Sequence, residues 1–114
     1  MSDSILSSTK LQLGLEPSEN HFDEMLMDYI NTSLAELHQV GVNNEPFFIS
    51  TGEESWGDFV ADPFVQNLCR TYVNKSVKTM FDPSPSSAME QATQEICNRL
   101  LFRIHVAVDP ENSL

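Results

Sequence analysis

Apolar residues recur at three- and four-residue spacing over most of this chain, a period that predicts helices rather than strands. The first helix, over residues 3–13, sets Ile5, Leu6 and Thr9 on one side, with Ser2 or Asp3 as its cap and Gly14 placed to end it. Glu16-Pro17-Ser18-Glu19 then reads as a connector. A stronger stripe follows, in which Phe22, Met25, Leu26, Tyr29, Ile30, Ser33, Leu34 and Leu37 predict a helix over residues 21–40. Asn20 can cap it, Asp23, Glu24 and Asp28 suit the positive end of its dipole, and Gly41 closes it.

Residues 42–55 hold Asn43-Asn44, Pro46 and Gly52 around Phe47-Phe48-Ile49, which predicts a loop with a short extended piece. Ser55-Trp56-Gly57-Asp58 has the form of a helix cap, and Asp62-Pro63 that of a cap followed by proline at the first helical position. A helical turn over 56–61 leading into a helix over 63–81 is therefore expected, striped by Val65, Leu68, Cys69, Tyr72, Val73, Ser76, Val77 and Met80. Phe81-Asp82-Pro83-Ser84-Pro85-Ser86-Ser87 must stop it near Asp82, because proline lacks an amide hydrogen and restricts the residue before it. Ser87 with Glu90 has the spacing of a capping box for a last helix running to about Arg103, with Met89, Ala92, Ile96, Leu100 and Ile104 facing inward.

In an antiparallel hairpin, facing residues have position numbers with a constant sum. Met80 with Met89, Val77 with Ala92, Val73 with Ile96, Cys69 with Leu100 and Val65 with Ile104 share the sum 169, predicting face-to-face packing over about 25 Å. Phe102, Ile104, Val106 and Val108 then alternate with the period of a strand, so a short extended segment is expected at the C-terminal end. The fold class is all-α: one domain over residues 1–114, a bundle of about four helices ending in a long antiparallel hairpin. At 114 residues there is enough chain for a single core.

Charge changes the picture. The net charge is −11, and residues 1–69 hold twelve Asp or Glu against one base, Lys10. The remainder is neutral, with Arg70, Lys75, Lys78, Arg99 and Arg103 balancing five acids. So acidic a chain is poorly suited to holding a phosphate backbone, which needs clustered Lys and Arg. No apolar run is long enough to span a bilayer, and the N-terminus lacks the basic region of a signal peptide, so the protein is expected to stay where it is made, without a membrane partner. Cys69 and Cys97 are accordingly expected as reduced thiols.

Catalytic motifs are not found: there is no glycine-rich phosphate loop, no nucleophile elbow and no pair of histidines at metal spacing. No enzyme activity, cofactor or metal is expected; Asp23, Glu24 and Asp28 lie in one helical turn, not in a loop wrapped around an ion. Phe47, Phe48 and Trp56, near a Gly- and Pro-bearing loop, either close the domain's own core or dock into a neighbour. With the five C-terminal bases they form the candidate interface.

Several local motifs resemble the head-tail connector (adaptor) proteins of tailed bacteriophages. They are the Ile5-Leu6 helix with Lys10 and Gly14, His21-Phe22-Asp23, Val40-Gly41-Val42, Trp56-Gly57-Asp58-Phe59, Phe81-Asp82-Pro83 with Ser86-Ser87, and Arg103-Ile104 leading to Val106-Ala107-Val108-Asp109-Pro110. Ser84 and Phe102 stand where the family pattern has proline and tryptophan. The resemblance implies a homo-oligomeric ring, of twelve copies when matched to the portal, made in the host bacterial cytoplasm and placed in the virion neck. It would bridge the portal protein to the next neck or tail protein, with DNA passing through unbound. The alternative from composition alone is a small acidic binder, a DNA-mimic inhibitor of a nucleic-acid enzyme.

Overall fold

The computed structural model describes residues 4–109, in which five helices follow one another: α1 (Ile5–Gln12), α2 (Asp23–Gln39), α3 (Trp56–Phe59), α4 (Pro63–Phe81) and α5 (Ser87–Val108). α4 is the centre, with α5 packed along one side, α2 along another, and α1 and α3 closing the remaining edge. The core joins Ile5 and Leu6 of α1, Leu26, Ile30, Leu34 and Leu37 of α2, and Val65, Cys69, Val73 and Val77 of α4. Trp56 and Phe59 of α3 seal it from the side.

The caps of α3 and α4 fall where the side chains predict. Ser55 and Asp58 form a reciprocal capping box on α3. Asp62 accepts from the amides of Phe64 and Val65, with Pro63 at the first turn of α4. α4 ends at Phe81 with Asp82 as its cap, as the prolines require. The α1 cap is Ser4, whose hydroxyl accepts from Ser7 N; the expected caps Ser2 and Asp3 lie outside the described residues. α2 begins at Asp23, two residues later than predicted, and its cap residue Phe22 offers no side-chain hydrogen bond. Asn20 instead accepts only through its backbone, from Asp23 N.

Three expectations need correcting on α5. The cap is Ser86, not Ser87, and the Glu90 carboxylate accepts from Ser84 N rather than from Ser87. The chain stays helical to Val108, so the extended segment expected after Arg103 is absent among the described residues, and residues 110–114 lie outside them. The alternation of Phe102, Ile104, Val106 and Val108 records a helix apolar on more than one side, with Ile104 buried and Phe102 and Val106 exposed.

The predicted hairpin register survives only near its open end, where Leu100 and Ile104 turn inward. Met89 and Ile96 are 62% and 39% exposed, and Ala92 is exposed as well; the inner seam runs through Glu90, Thr93 and Cys97. Because α5 packs chiefly on α4, it buries a narrow stripe, and its fully enclosed residues Cys97 and Ile104 stand seven apart.

The last turn of α5 reaches α2. His105 Nδ1 lies 3.0 Å from Val40 O, and Val108 sits over Gly41, where a Cβ would come within 3.1 Å of its Cγ2. Gly41 has φ +113°, so glycine there both permits the left-handed turn and makes room for α5. At the other end of α2, Lys10 is almost fully buried and its ammonium bridges Asp23 at 2.8 Å and Pro17 O at 3.0 Å, fixing the connector between α1 and α2.

Candidate assembly interface

The loop of residues 42–55 is held to the helices by side chains. Asn31 on α2 donates to Ile49 O and accepts from Ile49 N, at 3.0 and 2.8 Å, so its amide mimics a neighbouring strand. The Glu54 carboxylate gathers the amides of Ser50, Thr51 and Gly52. Desolvation works against its charge, yet those N–H groups and its own outweigh that and lower its pKa to about 2. Ile5 N donates to Glu54 O, and Ser4 Oγ to Gly52 O, which ties the loop to the start of α1. Gly52, at φ +88°, lies so close to Leu6 that a Cβ would approach its Cδ2 to 2.9 Å.

This scaffold separates the three candidate aromatics. Trp56 is fully buried, its indole N–H donating to Ser8 Oγ at 2.9 Å, so it belongs to the subunit's own core and not to a docking surface. Phe47 is half-buried against Phe59, with ring centres 5.3 Å apart. Phe48 between them in sequence points outward and is 54% exposed. Ile49 is buried. Three consecutive residues thus take three different environments, with Phe48 the most open to a neighbour.

The candidate bases also divide. Arg70, Lys75 and Lys78 share one face of α4 and line a groove of about 570 Å³ between α4 and the start of α5, with Gln12 of α1 at its edge and Met89 on its rim. The Arg70 guanidinium lies 5.8 Å from the centre of the Trp56 ring, a cation over an aromatic face. Lys78 reaches Asp82, 3.5 Å from its carboxylate and 2.9 Å from its carbonyl oxygen, at the end of α4. Arg99 and Arg103 do not join this groove; both are exposed on α5.

A second cleft, of about 310 Å³, lies at the open end of the hairpin between Phe64 and Leu68 of α4 and Phe102, Arg103, Val106 and Ala107 of α5. Phe64 and Phe102 are two-thirds exposed there. Sequence patterning missed this surface because it assigned apolar residues to a single inner face. The signal was available as a surplus: α5 has more large apolar side chains than one buried stripe can use.

The thiols have a structural setting. Cys69 and Cys97 are free and buried, and burial pushes the Cys69 thiol up to about 12. Burial also raises Cys97, opposed by nearby Lys75 and assisted by Glu36. Tyr72, desolvated and donating to Glu36 Oε1 at 2.6 Å, is raised as well. Groups with raised values stay protonated at neutral pH, so none is a poised nucleophile or base. Among the described residues no cluster of His, Cys, Asp and Glu is arranged to hold a metal ion, and no helix is long and apolar enough to cross a membrane.

A family model for phage connector protein matches residues 5–111, spanning all five helices. The chain belongs to this family. Its role is that of a structural connector in a bacteriophage, and the family is not one of enzymes. No curated protein and no solved structure matches this phage connector protein. The surfaces just described therefore carry the more detailed reading.

Proposed function

We propose that this connector protein forms a ring between the portal and the tail or next neck protein, completing the head and continuing the DNA channel. The observation that carries this reading is the match to phage connector protein along the whole subunit, residues 5–111. Two features of the surface support it. Met89, Ile96 and Phe102 of α5, with Phe64 of α4, leave large apolar groups exposed on a small acidic molecule, as expected of a subunit with neighbours. The basic groove on α4 stands out on a chain of net charge −11, which suits heterologous contacts that close into a ring. Net negative charge around a channel would repel DNA and let it slide.

The DNA-mimic alternative draws less support. It needs a long row of free carboxylates along one face, whereas Asp23, Glu36, Glu54, Asp58 and Asp62 accept bonds within the subunit and, of the acids left exposed in the N-terminal part, only Glu24 and Asp28 share a helix face. Adding purified protein to DNA-filled heads that carry portal but lack connector tests the reading. The expected result is a ring of density beneath the portal by electron microscopy, retained DNA and joining of tails. Heads that bind no protein and leak DNA as before would overturn it.

A further inference from the structure

We propose that the groove lined by Arg70, Lys75 and Lys78 receives the carboxylates of Glu24 and Asp28 from the α2 helix of a second copy of this chain. The inference rests on the ring reading above and names the contact that would build it.

The groove is polar and sets three cations, Arg70, Lys75 and Lys78, against one carboxylate, Glu90, which already accepts from Ser84 N, in a molecule of net charge −11. Lys75 has no ion-pair partner among the described residues. Asn74 lies in the same lining, and its buried carbonyl oxygen has no donor there. The site therefore offers cations and an acceptor, which fits a peptide surface bearing carboxylates and N–H groups better than a bare anion.

Spacing on a rigid helix points to α2. Asp23 is held by Lys10, Glu36 by Tyr72, and Glu54, Asp58 and Asp62 by loop or cap amides, while the exposed Glu16, Glu45 and Glu53 stand in connecting loops rather than on a helix. Glu19 accepts from His21 N. Glu24 and Asp28 are exposed, have no side-chain partner among the described residues, and stand one turn apart on a rigid helix. Their separation along the axis is about 6 Å, between the roughly 4.5 Å of Lys75 to Lys78 and the roughly 7.5 Å of Arg70 to Lys75. Met25 lies exposed beside them, as Met89 does on the groove's rim, giving each side an apolar edge.

The two surfaces also face apart. Tyr72, Val73 and Ser76 turn α4 toward α2, with Ser76 accepting from Ser33 and Tyr72 bonded to Glu36. At about 100° per residue, Thr71, Asn74, Lys75 and Lys78 fall on the other side of α4. Glu24 and Asp28 in turn lie on the face of α2 opposite buried Leu26, Ile30 and Ser33. A contact between unlike, oppositely directed surfaces cannot close as a two-fold dimer; it propagates from copy to copy.

A charge-swap experiment tests this. Light scattering on the whole chain over a range of concentrations in low salt should show mass rising with concentration and falling toward monomer in high salt. The variants Glu24→Lys with Asp28→Lys, and separately Lys75→Glu, should each self-associate about tenfold more weakly or worse while melting as the parent does, and mixing the two should restore association. A parent that is monomeric throughout, single variants that associate like the parent, or a mixture that gains nothing would each overturn the contact. The same variants added to portal-bearing heads separate the two readings. If variants and parent both join heads to tails, the groove contact fails and the connector reading stands; if the parent itself never binds, the connector reading fails.

Discussion

Three neighbouring aromatics show how far residue type falls short of residue role. Trp56 is enclosed by α1, α3 and Arg70, and Trp56→Ala should cost about 3–5 kcal/mol in chemical denaturation, as removal of a buried indole does. Phe47→Ser should cost about 1–2 kcal/mol, since half of its ring packs on Phe59. Phe48→Ser should leave the melting temperature unaltered and, if the loop touches a neighbour, weaken joining of heads to tails. A large loss of stability from Phe48→Ser would return that residue to the core. A similar contrast separates the hairpin positions once paired by arithmetic. Val73→Asp places a charge where no water reaches and should unfold the domain, whereas Ile96→Asp should cost about 1 kcal/mol or less, measured by thermal melting.

At the scale of elements, the helices are joined through a few directed contacts that local pattern does not announce. Gly41 lets α2 end beneath the last turn of α5; Gly41→Ala would meet both a left-handed backbone and Val108, and should cost about 1–2 kcal/mol with selective loosening of residues 104–108 in hydrogen exchange. The loop of residues 50–54 depends on an ionised Glu54. Its folded value is lowered to about 2 from the ordinary 4.5, so its contribution is fully present above about 4.5 and is lost as pH falls toward 2. Protection of the Ser50, Thr51 and Gly52 amides, relative to the intrinsic exchange rate at each pH, should fall across that window, and Glu54→Gln should remove the pH dependence of that protection. Protection unchanged down to pH 2 would show that the backbone alone shapes the loop.

The whole molecule presents its surfaces unevenly: a basic groove on α4, unpaired acids on α2, and an apolar cleft where α4 and α5 part. Apolar and charged contacts respond differently to salt, so they can be told apart in assembly. Replacing both Phe64 and Phe102 by Ser should leave the melting temperature within a few degrees while blocking attachment to portal or tail, with little salt dependence in what remains. Normal attachment by this double variant would place the cleft outside the interface.

Helix identity and most boundaries were legible before any coordinates because they depend on neighbours three or four residues away. Pro63 and Asp62 start α4, Pro83 stops it, Ser55 and Asp58 cap α3, and Gly41 ends α2, each through local backbone chemistry. The family resemblance was legible for the same reason, being written in such local motifs. Two things waited for the fold. One was which face of α5 turns inward, since several registers bury apolar side chains comparably and the choice depends on contacts with α4 and with Gly41. The other was the gathering of Arg70, Lys75 and Lys78 beside Met89 while Arg99 and Arg103 stay apart: proximity across a helical hairpin is a property of packing, and no periodicity along the chain encodes it.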